Sequence, residues 1–99
     1  MIELETIKTL LTKHQTVFKQ KYRIKRLGIF GSYVRGEATR DSDLDILVEF
    51  QSGYRFGLLT FCKLENDLSD LLGVKVDLVM KDSLKPKIGR QILSEVIYL

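Results

Sequence analysis

Residues Gly28 to Phe50 form the stretch that decides the fold, GIFGSYVRGEATRDSDLDILVEF. Its second half alternates, with one set of residues apolar (Leu44, Ile46, Val48, Phe50) and the other mostly acidic (Asp43, Asp45, Leu47, Glu49). Because side chains in a strand point alternately to opposite faces, this pattern predicts a strand with one buried face. The run from Lys25 to Phe30 predicts an earlier strand, and the short connection through Gly31 permits antiparallel pairing.

Helical periodicity flanks these strands on both sides. Apolar residues recur at helical spacing from Glu3 to about Tyr22 and again from about Phe56 to Leu72, where Gly73 favours termination. The segment Tyr54 to Phe56, just before the second of these helices, is a candidate interface anchor. Cys62 lies beside the apolar stripe of that helix and is expected to pack as a small core residue.

A third strand and a last helix complete the pattern. Val74 to Met80 alternates, and Asp77 falls on the face opposite its apolar neighbours. After Pro86, the segment Ile88 to Glu95 predicts a short helix, and the apolar tail Val96 to Leu99 suits either a helix or an edge strand. We therefore expect an α/β (α+β) fold, in which a small mixed three-stranded sheet is flanked by helices.

Composition indicates one globular domain that spans residues 1–99, with 44% apolar and 29% charged residues. Lys plus Arg number 16 and Asp plus Glu 13, a mild excess that suits phosphate-bearing ligands. This basic excess does not decide whether the basic stretch at 19–26 contacts RNA or a protein. The single cysteine excludes an intramolecular disulfide and a thiolate zinc site. Because no apolar run approaches the ~20 residues that cross a bilayer, we expect a cytoplasmic protein without membrane association.

Three aspartates are the candidate catalytic and metal-binding residues. Asp43 and Asp45 are two residues apart in a strand, so their carboxylates share a face and repel each other unless a divalent cation binds. If the third strand pairs beside the second, Asp77 joins them, and three carboxylates can hold two magnesium ions about 4 Å apart. Taken singly, the Asp-x-Asp pair is an ordinary solvated strand edge and Asp77 an ordinary partner for a lysine. Because the three aspartates fall in register on the predicted strands, a catalytic and metal-binding role is favoured over these separate readings.

Gly31 and Ser32 are the candidate phosphate-binding residues. Gly31 allows the backbone to approach a ligand closely. Ser32 is expected to cap a short helix from about Tyr33 to Arg35, whose N-terminus offers N–H groups to a phosphate. A lone Gly-Ser pair is more often a plain turn, so this assignment depends on the neighbouring aspartates. The phosphate-loop pattern GxxxxGK[ST] is absent from the sequence.

The segment GSYVRGEATRDSDLD is similar to the GS-x10-D-x-D signature of the DNA polymerase beta nucleotidyltransferase superfamily, with ten residues between the serine and the first aspartate. More narrowly, it resembles the minimal nucleotidyltransferase (MNT) domain family, whose pattern GSxxRGxxxxxSDxDxxV matches Gly31, Ser32, Arg35, Gly36, Ser42, Asp43, Asp45 and Val48. The later segment VDLV supplies Asp77 as the third family carboxylate. The resemblance covers about Ile24 to Leu99 and implies a nucleotidyltransferase fold.

The resemblance also implies the site. It assigns catalytic and metal-binding roles to Asp43, Asp45 and Asp77, with Asp77 as acceptor of the hydroxyl proton, and nucleotide-binding roles to Gly31, Ser32 and Arg35. Two alternatives stay open for the arginine, which either contacts a phosphate or pairs structurally with Glu37 or Asp41.

MNT-family proteins act as antitoxins paired with HEPN ribonuclease toxins, and the resemblance extends to this function. It implies magnesium-dependent transfer of AMP from ATP to a tyrosine of such a toxin, within a complex of the two proteins. Two other hypotheses remain. The chain neutralises its partner by binding alone, without catalysis, or it transfers a nucleotide to a small hydroxylated molecule or an RNA 3′ end.

Overall fold

A computed structural model describes residues 2–53 and 57–99. The helices are α1 (Leu4–Tyr22), α2 (Ser32–Arg35), α3 (Leu58–Leu72) and α4 (Pro86–Glu95). The strands are β1 (Ile24–Phe30), β2 (Leu44–Phe50), β3 (Val76–Met80) and β4 (Ile97–Tyr98), and a 3₁₀ turn covers Lys81–Ser83. The candidate interface anchor at 54–56 lies outside the described residues. No helix in the described part of the chain is long and apolar enough to span a membrane.

The strands form one mixed sheet in the order β3-β2-β1-β4. The strands β1 and β2 pair antiparallel, whereas β2 and β3 pair parallel with α3 as the crossover. The expected mixed sheet flanked by helices is confirmed, but it has four strands rather than three. The fourth arises because α4 ends at Glu95 and the apolar tail then extends, so that Ile97 and Tyr98 pair with β1.

The main core lies between α1, α3 and one face of the sheet. It takes the apolar set predicted for the second strand, together with fully buried side chains such as Ile7, Leu11, Leu64 and Leu68. A smaller cluster of Phe30, Leu47 and Ile92 covers part of the other face under α4. The alternation in β2 therefore predicted both faces correctly, and the acidic side of the strand faces away from the main core.

The outer edge of β3 is tied to α3 by side chains. Ser69 Oγ accepts a hydrogen bond from the Val76 N–H at 3.0 Å, and Glu65 Oε2 accepts one from the Leu78 N–H at 3.0 Å. Buried N–H groups without a partner are costly, so these two bonds stabilise an edge that has no further strand beside it in the described structure. Because Asp77 lies between the two bonded residues, its backbone is fixed from both sides.

Cys62 corrects one expectation, because its side chain is exposed rather than packed in the core. The core stripe of α3 is centred on Leu64 and Leu68. A residue two positions before Leu64 is rotated by about 200° around a helix with 3.6 residues per turn. Cys62 therefore points away from the sheet.

Candidate active site

The three aspartates share one face of the sheet. Asp45 in β2 is the direct partner of Asp77 in β3, and residues in register on parallel strands point to the same side. Asp43 precedes Asp45 by two residues and so lies on that side as well. This face is opposite the one that buries Leu44 and Ile46. The structure therefore places the three aspartates singled out in the sequence on one face of the sheet.

Asp45 is the most constrained of the three carboxylates. Burial and, after it, the negative charges of Asp77 and Asp43 together raise its pKa to about 6. Asp77 is exposed, and Asp43 is half-exposed with Lys75 Nζ 4.0 Å from its Oδ2. The cluster therefore carries a negative potential that a bound cation would relieve.

Gly31 lies directly against the Asp45 carboxylate. Its φ of 82° and ψ of −154° fall in a region that residues with a Cβ rarely occupy. A Cβ at this position would overlap Asp45 Oδ2 and lie only 2.9 Å from its Cγ. Because β1 and β2 are antiparallel and Phe30 pairs with Asp45, the end of β1 delivers this glycine to the carboxylate. Only a residue without a side chain fits here unless Asp45 moves.

Ser32 does not have the predicted capping role. It is the first residue inside α2, and the residue at the cap position is Gly31, with no side-chain capping hydrogen bond. The backbone carbonyl of Gly31 accepts the N–H groups of Val34 and Arg35 at 3.0 and 3.1 Å. The helix turn is thus closed by backbone bonds alone, which leaves the half-buried Ser32 hydroxyl without a structural task in this turn.

Arg35 pairs with acidic side chains on two sides. Its Nε donates to Glu37 Oε2 at 3.3 Å, as one of the two alternatives predicted, and Asp41 is not its partner. Its Nη1 donates to both oxygens of Glu95 at 3.1 and 3.0 Å. No sequence pattern indicated Glu95, because it lies sixty residues further along the chain. Arg35 stands close enough to Asp45 for its positive charge to lower the pKa of that carboxyl.

A nucleotidyltransferase domain model matches residues 11–99 of this chain. The chain belongs to the nucleotidyltransferase domain family. The match covers the Gly31 turn, the aspartate cluster and the last two secondary-structure elements, α4 and β4.

Relatives of this nucleotidyltransferase agree with the assignment. The protein adenylyltransferase MntA of Thermococcus cleftensis is 48% identical over 99 residues, which cover 100% of this chain and 98% of that protein. A solved structure provisionally described as a minimal nucleotidyltransferase is 39% identical in sequence and has a TM-score of 0.81. The match covers 99% of this chain and 97% of the chain in that structure. The recognised MNT resemblance and the predicted nucleotidyltransferase fold are therefore confirmed.

A more distant neighbour shares the nucleotidyltransferase fold alone. It is a complex of a tri-AMPylated Shewanella oneidensis HEPN toxin with an MNT antitoxin, and the matched chain is 19% identical with a TM-score of 0.61. The match covers 90% of this chain and 70% of that one.

The donor set of this nucleotidyltransferase fits divalent cations that favour oxygen. Within residues 2–53 and 57–99, no three His, Cys, Asp or Glu side chains are arranged so that they could hold a metal ion by themselves. Magnesium usually takes only one or two carboxylates and completes its shell with water and substrate phosphates, so an open cluster suits it. Burial and the repulsion from Asp77 and Asp43 raise the pKa of Asp45, and a bound cation would offset that repulsion.

Proposed function

We propose that this nucleotidyltransferase transfers AMP from ATP to a tyrosine hydroxyl of a cognate HEPN toxin and thereby acts as its antitoxin. The observation that carries the proposal is the register of Asp45 with Asp77, with the backbone of Gly31 directly against the Asp45 carboxylate. The support for the adenylyl group is the name of the MntA relative, which is 48% identical over the whole chain. The support for the partner is the fold-level neighbour, an MNT antitoxin bound to a HEPN toxin.

Each residue of the site has a role in this proposal. Asp43 and Asp45 would hold two magnesium ions, and Asp77 would hold one of them. Once bound, the ions supply positive charge to the attacking and leaving oxygens of an in-line displacement. The backbone at Gly31 and the hydroxyl of Ser32 would hold the triphosphate, because Gly31 has no side chain of its own and the serine has no capping task.

The chemical step is a substitution at the α-phosphorus of ATP. The tyrosine oxygen forms a bond to that phosphorus, while the bond from the same phosphorus to the bridging oxygen of the β-phosphate breaks. Pyrophosphate leaves with the electron pair of the broken bond. Asp77 accepts the hydroxyl proton, since it is the exposed member of the cluster and can face an acceptor that approaches from solvent.

Intact-mass spectrometry of the purified partners tests the proposal. The chain is incubated with the HEPN protein encoded beside it, ATP and magnesium, and the modified residue is then located by peptide mapping. Asp45→Asn is expected to lower the rate of AMP transfer at least about 100-fold, because the loss of several kcal/mol of charge stabilisation corresponds to that factor. Asp41→Asn, an equal charge change on the exposed loop before the cluster, is the matched control and should transfer at the wild-type rate.

Three outcomes would separate this proposal from its alternatives. AMP on a toxin tyrosine supports it. AMP on RNA or a small molecule, with none on the toxin, assigns a different acceptor to the same chemistry. Neutralisation of the toxin that survives in Asp45→Asn, with no AMP transferred by the wild type, contradicts the enzyme assignment and favours inhibition by binding alone.

A further inference from the structure

Two carboxylates from different parts of the chain orient the guanidinium of Arg35. Glu95 accepts from Nη1 with both oxygens, and Glu37 accepts from Nε. A guanidinium carries five N–H donors in a fixed plane. Within the part of the chain that the structure describes, its Nη2 group makes no hydrogen bond or ion pair. The guanidinium is therefore held at Nε and at Nη1, and the N–H donors of Nη2 are left for a ligand.

Glu95 is placed unfavourably for the stability of its own helix. It is the last residue of α4, and this last turn contains no basic residue. A negative charge in the last turn opposes the helix dipole. The side chain is nevertheless mostly buried, with 17% of its surface exposed, and its ion-pair partner is Arg35. The placement of Glu95 is thus accounted for by the arginine rather than by α4.

The Arg35–Glu95 pair stands beside the aspartate cluster. Arg35 ends the single turn of α2 that begins immediately after Gly31, the residue in contact with the Asp45 carboxylate. Both members of the pair lie close enough to Asp45 for their charges to act on that carboxylate. A triphosphate held at the cluster and the glycine turn would therefore bring negative charge near the guanidinium.

We propose that Glu95 is a positioning residue that orients Arg35 toward a phosphate of the bound nucleotide. The inference rests on the proposed function, since it takes ATP to bind at the aspartate cluster. An arginine that is already oriented loses less side-chain freedom when it binds a phosphate, so the pairing increases nucleotide affinity. Glu95 itself touches neither the nucleotide nor the acceptor and acts through Arg35.

The test is a double-mutant cycle on nucleotide affinity, measured by calorimetry with a non-hydrolysable ATP analogue and magnesium. Arg35→Gln is expected to weaken binding about tenfold, the scale of a lost charge-assisted bond. Glu95→Gln should weaken it about threefold to fivefold, the upper part of the range of a partly exposed ion pair. The double variant should bind no more weakly than Arg35→Gln alone, because Glu95 acts only through the arginine.

Two further variants make the cycle specific. Asp82→Asn changes the same charge in the 3₁₀ turn after β3, at the end of the sheet away from Asp45, and should bind as the wild type does. Glu95→Asp keeps the charge but shortens the side chain, so an intermediate weakening is expected even if the amide variant fails to fold. In transfer assays, Glu95→Gln should raise KM for ATP and leave kcat nearly unchanged.

The outcomes separate this inference from the proposed function. A wild-type protein that binds no nucleotide contradicts the proposed function itself. A wild type that binds, with Glu95→Gln and Glu95→Asp binding equally well or more tightly, overturns only the positioning role. Additive losses in the double variant would also overturn it, because they would mean that Glu95 acts on the nucleotide independently of Arg35.

Discussion

Replacing Gly31 with alanine would introduce a methyl group where the Asp45 carboxylate now lies. The backbone there has φ of 82° and ψ of −154°, a conformation that costs about 1–3 kcal/mol for a residue with a Cβ. The added Cβ would also lie 2.9 Å from Asp45 Cγ and overlap Oδ2, so the carboxylate must rotate away. The substitution therefore combines backbone strain with displacement of a proposed metal ligand.

These two effects have different magnitudes for stability and for activity. Strain of about 2 kcal/mol lowers the melting temperature of a domain of this size by about 8–16 °C. Displacement of Asp45 by about 1 Å is expected to lower the rate of AMP transfer about 100-fold. Gly73→Ala is the matched control, because Gly73 also has a positive φ, of 67°, but no group from elsewhere in residues 2–53 and 57–99 lies within 4 Å of its added Cβ. It should lose about 1 kcal/mol of stability and keep full activity.

The assay compares the two alanine variants at a temperature below both melting points. Circular dichroism gives the folded fraction, and intact-mass kinetics with the partner toxin gives the transfer rate per folded molecule. The reasoning is refuted if Gly31→Ala and Gly73→Ala transfer AMP at the same rate per folded molecule, because contact with Asp45 would then have no consequence for the chemistry.

Three further predictions concern the stability of the fold. Asp67 accepts a hydrogen bond from Tyr22, which holds the pKa of the Asp67 carboxyl below its usual range. The ionised Asp67 therefore stabilises the fold above about pH 4, and this stabilisation is lost as pH falls through the folded-state pKa. In urea titrations, Asp67→Asn should cost about 1 kcal/mol near neutrality and little near pH 2. Glu65→Ala should cost about 1 kcal/mol and speed exchange of the Leu78 amide hydrogen, since that N–H loses its acceptor; unchanged exchange would contradict this. Leu64→Ala, at a fully buried position, should cost about 2–5 kcal/mol in urea denaturation, and a loss below about 1 kcal/mol would contradict the core assignment.

The strands that carry the candidate site could be predicted from the sequence because their patterns are unambiguous. The alternation from Leu44 to Phe50 has a period of two, and β2 begins and ends at those same residues. The same period placed Asp77 on the face opposite the core, and the helix between the two strands permitted the parallel pairing that sets Asp77 beside Asp45. The alternation within each strand and the single helix that connects them were therefore enough to predict where these aspartates lie.

Features that depend on long-range contacts or on backbone conformation could not be predicted in the same way. The edge strand β4 has two residues and no period, so only its pairing with Gly28 and Ile29 defines it. The cap position of α2 is Gly31 with a positive φ, rather than Ser32, and no side-chain pattern signals that conformation. The contact of Arg35 with Glu95 depends on how α4 packs, which the sequence around either residue does not specify.

Crystals grown with manganese and a non-hydrolysable ATP analogue would test the central claim most directly, because anomalous scattering locates the metal ions. The account predicts two ions about 4 Å apart on the carboxylates of Asp43, Asp45 and Asp77, with the triphosphate lying along Gly31 and Ser32. Nucleotide and ions found together elsewhere on the protein, with the three aspartates bound to neither, would contradict it.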